Sequence, residues 1–323
     1  MSTASGHAAP VAVSVVLCTY NRAHLLRGAL EALAAQSTGL AWEVIVVDNN
    51  STDDTRAVAA ELAGRVPCPV RYVFEKEQGL SRARNRGVHE STGAIIAFMD
   101  DDVRPAKDWV DAIEQSMREW SADAVGGRIV PHWESRPPSW IENSVRVKGH
   151  CYGVMEFSET RTLSFPMTGT PQVWGSSMAF RREALGAVEP FNPLRGVTGQ
   201  RLWRGEEVEV LNRLLEQGRR VVYDPRIVVW HQISARRMER RYVRRLFFQT
   251  GEGESLAGRP MPGPRVLGVP RWLVRAVVAH FLAYARARVR GRVDALDREL
   301  DLLEDAGRAW GLFRRHLSNS RRP

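Results

Sequence analysis

The sequence predicts an α/β fold in which helices cover both faces of a mostly parallel central sheet, followed by a basic helical C-terminal region. Short apolar runs rich in β-branched residues alternate with segments of helical periodicity from Val11 onward. Runs that are apolar throughout are typical of parallel strands buried on both faces. The positive charge lies at the other end of the chain: residues 236–323 hold 20 Lys and Arg against 9 Asp and Glu, whereas residues 1–235 carry a net charge of −2.

Four strands and the helices between them are predicted in the first part of the chain. The strands are VAVSVVLCT, WEVIVVDNN, VRYVFE and AIIAFM, and the helices are RAHLLRGALEALAAQ, TDDTRAVAAELAG and LSRARNRGVHES. The second helix is predicted to have acidic residues in its first turn and Gly64 at its end, as capping preferences favour. Because α/β sheets bind ligands at the carboxyl ends of their strands, we expect the polar segments CTYNR, DNNSTDDT and DDD to converge at one edge.

The pattern changes after Val130. Residues 131–170 contain the Pro- and Trp-rich PHWESRPPSWIENS and no secure regular element, which indicates a long functional loop or lid. Regular patterns return in QVWGSSMAFRREAL, in the helical GEEVEVLNRLLEQG and in the strand-like RRVVYDPRIVVWH. The predicted organisation is therefore a flexible leader (1–10), two halves of an α/β domain (11–130 and 131–235) and a C-terminal region of amphipathic helices (236–323).

Three consecutive carboxylates, Asp100, Asp101 and Asp102, directly follow the fourth strand. Like charges this close repel one another, so they need water, hydrogen-bond donors or a cation to hold them together. Carboxylates suit Mg²⁺ or Mn²⁺, and phosphate groups commonly complete the shell of such an ion. The segment also fits a solvated turn or a helix N-cap, because acidic residues stabilise helix starts. Both interpretations stay open on these residues alone.

Four motifs, in order along the chain, resemble one known family. The segments VVLCTYNRAHLL, VIVVDNNSTDDT, GLSRARNRGV and AFMDDDVRP look like the nucleotide-binding half of a family 2 glycosyltransferase with the GT-A fold, a Rossmann-like α/β/α sandwich. WGSSMAFRREAL and RGEEVEVLNRLLEQGRRVVYDPRIVVWH are similar to the acceptor-side half, so the resemblance covers roughly residues 11–235. It implies that residues 11–130 bind a nucleotide-sugar and that residues 131–235 bind the acceptor.

The resemblance implies donor binding by residues at the strand ends and on the third helix. They are Thr19, Tyr20, Arg22, Asp48, Asn49, Arg84, Asn85, Asp100 and Asp101. Asp48 matches an acidic position that accepts hydrogen bonds from the nucleoside, but many members have a second acid where this chain has Asn49. Arg84 matches a position where an arginine can hold phosphate. The alternatives are rim packing for Tyr20 and a merely basic helix face around Arg84.

The resemblance also implies a general base, an acceptor pocket and a metal site. Glu207 matches the second place of an acidic pair at a helix start, where a carboxylate takes the proton of the acceptor hydroxyl. The alternative is that Glu206 and Glu207 only complement the helix dipole. The implied acceptor-side residues are Trp174, Gly175 and Glu206, and the implied ligands of Mg²⁺ or Mn²⁺ are Asp102, Asp100 and His231.

Residues 268–292, GVPRWLVRAVVAHFLAYARARVRGR, are both apolar and basic. The uncharged run from Ala276 to Ala285 is well below the roughly 20 apolar residues that a membrane span requires. One interpretation is an amphipathic helix in an anionic membrane surface, with Trp272 and Phe281 as anchors. The other is a helix packed on the catalytic domain with an arginine-rich outer face.

Together with the residues above, the resemblance implies an inverting, metal-dependent glycosyltransferase. Its expected partners are a nucleoside-diphosphate sugar donor and an acceptor that is either a lipid-linked saccharide or a small molecule, with peripheral membrane contact through the C-terminal region and no nucleic acid. The N-terminus lacks the basic start and apolar core of a signal peptide, and the three cysteines form no Cys-x-x-Cys pair. We therefore expect a cytoplasmic protein, at the inner face of the membrane if the C-terminal region binds lipid.

Two other functions share some of these features. A nucleotidyltransferase shares the sheet and also binds a nucleotide and a metal. It usually has a glycine- and Lys/Arg-rich loop after the first strand, and the segment CTYNRAHLL is not a loop of that kind. A non-catalytic nucleotide- or membrane-binding protein is the second alternative, and the intact acidic motifs argue against it.

Overall fold

The computed structural model describes residues 10–160, 162–165, 173–186, 189–199, 201–203, 205–256 and 261–319. Apart from Pro10, the predicted leader lies outside the described residues. The chain divides into two compact units, each assembled from separate segments. Unit 1 comprises Met1–His132, Tyr152–Pro193 and Glu206–Ile233, and unit 2 comprises Trp133–Cys151, Leu194–Gly205 and Ser234–Pro323.

Strands and helices follow one another along the chain largely as the sequence predicts. The chain begins with β1 (Val13–Thr19), α1 (Ala23–Ala34), β2 (Trp42–Asp48), α2 (Thr55–Ala63), β3 (Val70–Phe74), α3 (Leu80–Glu90), β4 (Ile95–Asp100), β5 (Val103–Pro105) and α4 (Trp109–Glu119). Then come β6 (Ala124–Trp133), α5 (Ser139–Glu142), α6 (Val145–Tyr152), β7 (Leu163–Phe165), β8 (Ser177–Arg181), α7 (Arg182–Leu185), α8 (Glu206–Glu216) and β9 (Val221–Ile233). A short 3-10 helix (Ala235–Met238) leads into α9 (Arg240–Leu256), β10 (Arg265–Val266), β11 (Val269–Pro270), α10 (Arg271–Val289) and α11 (Ala295–Asn319).

Among the described residues, nine strands form one sheet. Eight of them lie in the order β3-β2-β1-β4-β8-β6-β9-β5, and β7 pairs with β9. The predicted parallel arrangement is confirmed in β1 to β4, since β1 pairs in parallel with β2 and β4, and β2 with β3. β8 pairs antiparallel with β4 and β6, and β9 pairs antiparallel with β5 and β7. Strands β5 to β9 thus extend the parallel sheet of β1 to β4 through antiparallel pairs.

The central strands are buried on both faces, as their unbroken apolar sequences predict. Every residue of β1 and β2 is buried. Val15 of β1 faces a core that includes Leu30 of α1, whereas Val16 faces a second core that includes Ala83 of α3. Since successive side chains of a strand point to opposite faces, one helix layer covers each side of the sheet.

Two details differ from the sequence predictions. The interpretation of 131–170 as one long loop is wrong, because this range contains α5, α6 and β7. Elements of three to eight residues are too short to show a period, and Pro138 sits at the N-cap of α5, where proline is compatible with a helix start. The acidic residues predicted for the first turn of α2 precede the helix, with Asp54 at the N-cap and Asp53 accepting from the backbone N–H of Thr55.

Unit 2 is built around the predicted C-terminal helices. α9 and α11 approach closely at glycines: a Cβ on Gly251 would collide with the carbonyl of Glu304, and one on Gly307 with the carbonyl of Phe248. Arg146 of α6 also joins the unit, with its Nη1 2.6 Å from an Asp301 carboxylate oxygen. No helix in the described part of the chain combines the length and the apolar character needed to cross a bilayer.

Candidate active site

The strand register brings the predicted polar segments together at the carboxyl edge of the parallel strands. Thr19 at the end of β1 stands opposite Asp48 at the end of β2. On the other side of β1, Cys18 pairs with Asp100 at the end of β4. His231 of β9 pairs with Val103, the residue after the three aspartates. The expected convergence is therefore present, and it includes a histidine from a strand more than a hundred residues further on.

Asp101 is held by two neighbours from the β1 end. The Thr19 hydroxyl donates to Asp101 Oδ2 at 2.8 Å, and Arg22 Nη1 donates to Oδ1 at 3.0 Å. Burial raises the pKa of Asp101 to about 6, because it outweighs the opposing effect of Arg22, and the charge of Asp102 adds to the rise. Thr19 and Asp101 thus fasten the end of β1 to the aspartate segment, and the side chain of Arg22 stays about half exposed.

Asp102, the last of the three consecutive aspartates, lies beside His231. His231 Nε2 lies 3.5 Å from Asp102 Oδ2, and Arg22 Nη1 lies 3.3 Å from the same oxygen. On its other side, His231 Nδ1 lies 2.5 Å from the carbonyl oxygen of Tyr152. Because a carbonyl can only accept, Nδ1 carries the hydrogen, and Nε2 is the nitrogen that faces the carboxylate.

The spacing of Asp102 and His231 suits two ligands of one divalent ion. Two atoms that bind one ion at about 2.1 Å each lie about 3 to 3.5 Å apart, which agrees with the Asp102–His231 separation. The described residues hold no cluster of three or more Asp, Glu, His or Cys arranged as a complete protein cage. An ion held here would therefore need oxygens from another source, as Mg²⁺ and Mn²⁺ do when they bind phosphates.

Arg84 and Glu206 form a buried ion pair beside Asp100. Arg84 Nη1 donates to Glu206 Oε1 at 2.7 Å, and its Nη2 lies 3.6 Å from Asp100 Oδ1. Ser176 donates to the other carboxylate oxygen of Asp100 at 3.0 Å. Gly175 lies against the guanidinium, and a Cβ at this position would collide with it. Although burial alone would lower the pKa of Arg84, the charges of Glu206, Asp100 and Glu207 raise it, so the guanidinium stays charged.

Glu206 and Glu207 open helix α8 and are both buried. Carboxylates in the first turn interact favourably with the unpaired backbone N–H groups there. Glu206 is paired with Arg84 through Oε1, whereas its Oε2 is buried without a hydrogen-bond partner. An unpartnered buried carboxylate oxygen is costly and indicates a position where a ligand group can donate.

Asp48 receives hydrogen bonds on both carboxylate oxygens. The backbone N–H of Ser51 donates to Oδ1 at 2.9 Å, and the Tyr72 hydroxyl donates to Oδ2 at 2.7 Å. Burial and this bond to Asp48 raise the pKa of Tyr72 to about 12, because the phenol must keep its proton to donate. Tyr72 is not among the predicted site residues, since nothing in VRYVFE indicates that its hydroxyl reaches the end of β2.

Two asparagines predicted to bind the donor contact backbone instead. Asn49 donates from Nδ2 to the Glu77 carbonyl at 2.8 Å and accepts at Oδ1 from the Gly79 N–H at 2.7 Å. Asn85 makes the equivalent pair of bonds with both backbone groups of Phe191, at 2.7 and 3.0 Å. Each amide therefore fastens a loop beside the site, and direct donor contact by either remains a prediction.

The two predicted aromatic contacts lie at the borders of this site. Tyr20 is half-buried and precedes Asn21, whose φ of 50° makes a left-handed turn. The Asn21 side chain accepts from the backbone N–H of Thr52 at 2.7 Å, joining the loops after β1 and β2. Trp174 is partly buried against the first core. Nothing in the described contacts brings either ring to the aspartates.

The mostly parallel sheet with helices on both faces matches the GT-A fold of solved glycosyltransferases. The chain belongs to glycosyl transferase family 2, whose model matches residues 14–188. This match confirms the resemblance to family 2 and the predicted activity as a glycosyltransferase. The predicted fold class is confirmed as well.

Several characterised proteins are similar to this chain. Glucosyl-dolichyl phosphate glucuronosyltransferase from Haloferax volcanii is 28% identical over 231 residues, which cover 70% of this chain and 71% of the relative. Dolichol-phosphate mannosyltransferase from Pyrococcus furiosus is 28% identical over 182 residues, which cover 56% of this chain and 49% of the relative. The mannosyltransferase PcManGT from Pyrobaculum calidifontis, solved with GDP-Man and Mn²⁺, has 20% identity and a TM-score of 0.59, over 95% of this chain and 90% of its own.

Proposed function

We propose that this glycosyltransferase moves a sugar from a nucleoside-diphosphate donor to an acceptor hydroxyl with inversion at the anomeric carbon, and that it requires a divalent cation. The single observation that carries the proposal is the convergence of Asp48, Asp100 to Asp102 and His231 at one edge of the sheet. The solved Pyrobaculum mannosyltransferase, which shares the fold, holds GDP-Man and Mn²⁺. We extend both kinds of ligand, a nucleotide-sugar and a divalent ion, to this chain.

The donor occupies the carboxyl edge in this proposal. Asp48, buried with both oxygens accepting hydrogen bonds, is the acidic group nearest the nucleoside, and Tyr20 packs on the base. Arg22 is the arginine that can turn toward a diphosphate, because its side chain is about half exposed. Arg84 is buried between Glu206 and Asp100, so its role is to position those carboxylates.

The cation would be Mg²⁺ or Mn²⁺, bound by Asp102 and His231 together with phosphate oxygens of the donor. Asp100, the third predicted ligand, contacts Arg84 and Ser176. Such an ion neutralises the charge that develops on the departing diphosphate. The contact of His231 Nδ1 with the Tyr152 carbonyl supports this role, since a backbone acceptor orients the opposite nitrogen toward the ion.

Glu207 acts as the general base. Glu206 already accepts a hydrogen bond from Arg84, so Glu207 is the carboxylate of the α8 start that we assign to the acceptor. Glu207 takes the proton of the acceptor hydroxyl while the oxygen of that hydroxyl attacks the anomeric carbon. The bond from that carbon to the diphosphate oxygen breaks on the opposite face, which inverts the configuration. In this proposal the acceptor pocket includes Trp174, Gly175 and the unpartnered oxygen of Glu206.

The acceptor is a lipid-linked saccharide or lipid phosphate. This choice over a small soluble acceptor is supported by the names of the Haloferax and Pyrococcus relatives, both of which refer to dolichyl phosphate. A lipid-linked acceptor is presented at a membrane surface, so peripheral membrane contact at the cytoplasmic face is part of this proposal.

A thermal-shift panel tests the donor and cation. UDP-, GDP- and dTDP-sugars are compared with and without Mn²⁺ or Mg²⁺, because a ligand that binds only the folded state raises the melting temperature. One nucleotide is expected to stabilise the protein in a cation-dependent manner, and Asp102→Ala should abolish that dependence. Asp108→Ala is the matched control, since Asp108 is an exposed aspartate of unit 1 outside the predicted site residues. Stabilisation by no nucleotide would favour a non-catalytic protein, and retention of the anomeric configuration in the product would exclude direct displacement.

A further inference from the structure

Within the described part of the chain, helix α10 packs through one face. Leu273 is fully buried and forms a small core with Val269 and Leu312, and Ala287 is buried further along the same face. Leu273 and Ala287 are 14 residues apart, close to four helical turns, so they mark a single inward stripe. This packing fixes the rotation of the helix within unit 2.

The opposite face of α10 is apolar and exposed. Its exposed apolar residues are Val274 (43%), Val278 (52%), Phe281 (55%), Leu282 (47%) and Val289 (87%). Their spacing of three, four and seven residues places them along one outward stripe. Trp272, also 47% exposed, lies two residues before Val274 and therefore outside the stripe. A contiguous exposed stripe of this kind indicates an interaction surface, because isolated exposed apolar residues are common but rows of them are not.

The charges around the stripe have one sign. Helix α10 contains four arginines and no acidic residue, and Arg290 and Arg292 follow it. Arg275 and Arg286 fall beside the stripe on one side and Arg288 on the other, by their helical positions. An apolar stripe between rows of arginines is complementary to a surface with an apolar interior and anionic headgroups.

A basic pocket adjoins the same helix. Its volume is about 330 Å³, and it is lined by Arg240, Arg244, Tyr284, Arg288, Ala295, Leu296 and Glu299. Arg244 donates to Glu299 at 2.7 Å, which offsets the one acidic residue of the lining, while Arg240 and Arg288 add two further positive charges. Tyr284 and Arg288 lie three and seven residues after Phe281, so the pocket opens along the Phe281 side of the stripe. Arginines around a pocket of this size suit a phosphate group.

We propose that α10 docks on an anionic phospholipid membrane. The stripe from Val274 to Val289 enters the boundary between headgroups and acyl chains, the flanking arginines meet the anionic headgroups, and the pocket between α9, α10 and α11 takes one lipid phosphate. The use of this surface, which is to bring the enzyme to a lipid-linked acceptor, rests on the proposed function, whereas the binding itself does not.

Other occupants match the surface less well. A second copy docked through the same stripe would bring the arginines of both copies together, which like-charge repulsion opposes. A nucleic acid would satisfy the arginines but would leave the valine and leucine side chains of the stripe against polar phosphates and sugars. A lipid surface complements both features at once.

Co-sedimentation with vesicles tests the docking. The full chain is expected to bind vesicles that contain phosphatidylglycerol far more strongly than vesicles of phosphatidylcholine alone, and added salt should weaken the binding. The double variant Val278→Asp, Leu282→Asp should lower binding at least about tenfold, because two carboxylates then face the acyl boundary. Val145→Asp is its matched control, since Val145 is an 82% exposed valine of unit 2 on another helix.

A charge-reversal pair tests the pocket. Arg288→Glu should reduce the preference for phosphatidylglycerol, whereas Arg136→Glu, with a 90% exposed arginine in the same unit, should not. Binding that is unchanged in the stripe variant, or a stripe-dependent dimer in the absence of vesicles, would overturn the proposal, as would equal affinity for a nucleic acid. Donor-induced thermal shifts are measured on every variant. Loss of vesicle binding with the donor shift intact separates this inference from the donor site, and absence of the donor shift in the wild type would contradict the proposed function alone.

Discussion

The guanidinium of Arg84 donates a 2.7 Å hydrogen bond to the carboxylate of Glu206, a residue 122 positions later in the chain. Both side chains are buried, and Asp100 lies 3.6 Å from the same guanidinium. This contact connects α3, the end of β4 and the start of α8, which carry three groups of predicted site residues. The helix that contains Glu207 is therefore joined to α3 by an ion pair within unit 1.

Removal of one partner of this pair should destabilise the protein strongly. Arg84→Ala leaves the Glu206 carboxylate buried and uncompensated, so we expect a loss of about 3–5 kcal/mol in the free energy of unfolding. Urea denaturation measures it. Arg82→Ala serves as the control, because Arg82 is more than a third exposed and pairs with the exposed Glu77. Equal losses in the two variants would show that the buried pair contributes nothing special.

Glu207→Gln should lower the turnover rate by about 10²–10⁴-fold and leave donor binding intact. The amide keeps the size of the side chain but cannot accept the acceptor proton. Steady-state rates together with donor thermal shifts separate chemistry from binding. Glu216→Gln, at the exposed end of the same helix, should be neutral. Activity of Glu207→Gln near that of the wild type would remove Glu207 as the base.

His231→Ala should raise the Mn²⁺ concentration needed for half-maximal donor stabilisation at least about tenfold. The variant removes the imidazole that lies 3.5 Å from Asp102 but leaves the three aspartates in place. A Mn²⁺ titration in the thermal-shift assay measures the effect. His89→Ala is the control, since the His89 side chain is 81% exposed on α3. An unchanged titration would mean that His231 does not bind the ion.

Asn49→Asp should destabilise the protein without improving nucleotide binding. The substitution restores the acid that many family members have, but it replaces the N–H group that donates to the Glu77 carbonyl with an oxygen. Two acceptors then face each other, which costs about 1–3 kcal/mol. Urea denaturation and limited proteolysis near residues 75–79 test this expectation. Tighter nucleotide binding by the variant would return position 49 to the donor site.

Acid should weaken the fold partly through Glu43. Burial alone would raise its pKa, but hydrogen bonds from Ser14, Thr92 and Arg71 more than offset this, so the pKa is lowered. A lowered pKa in the folded state stabilises the protein above the unfolded value of about 4.3, and this contribution is lost as pH falls through the folded pKa.

The measurement is urea stability as a function of pH. In Glu43→Gln, stability should be lower at neutral pH and should fall less steeply below about pH 4.3 than in the wild type. Parallel pH profiles for the two proteins would show that Glu43 makes no pH-dependent contribution.

Much of the fold follows from sequence patterns that act over short distances. The unbroken apolar runs of β1 and β2 match strands buried on both faces, and the strand ends at Asp48 and Asp100 reach the same edge because parallel strands run in one direction. The short elements within 131–170 were not predicted, because a segment of three to eight residues is too short for its periodicity to distinguish a helix from a loop.

The sequence by itself determined the parallel half of the sheet, the convergence of its acidic strand ends and the family to which the chain belongs. Only the tertiary structure decided which side chain each of these residues contacts: Arg84 pairs with Glu206, Asn49 and Asn85 bond to backbone, and Asp102 faces His231. The physical reason is the distance along the chain over which each kind of interaction acts. Secondary structure and strand direction depend on neighbours along the chain, whereas a hydrogen bond at 2.7 Å depends on the packing of elements far apart in sequence.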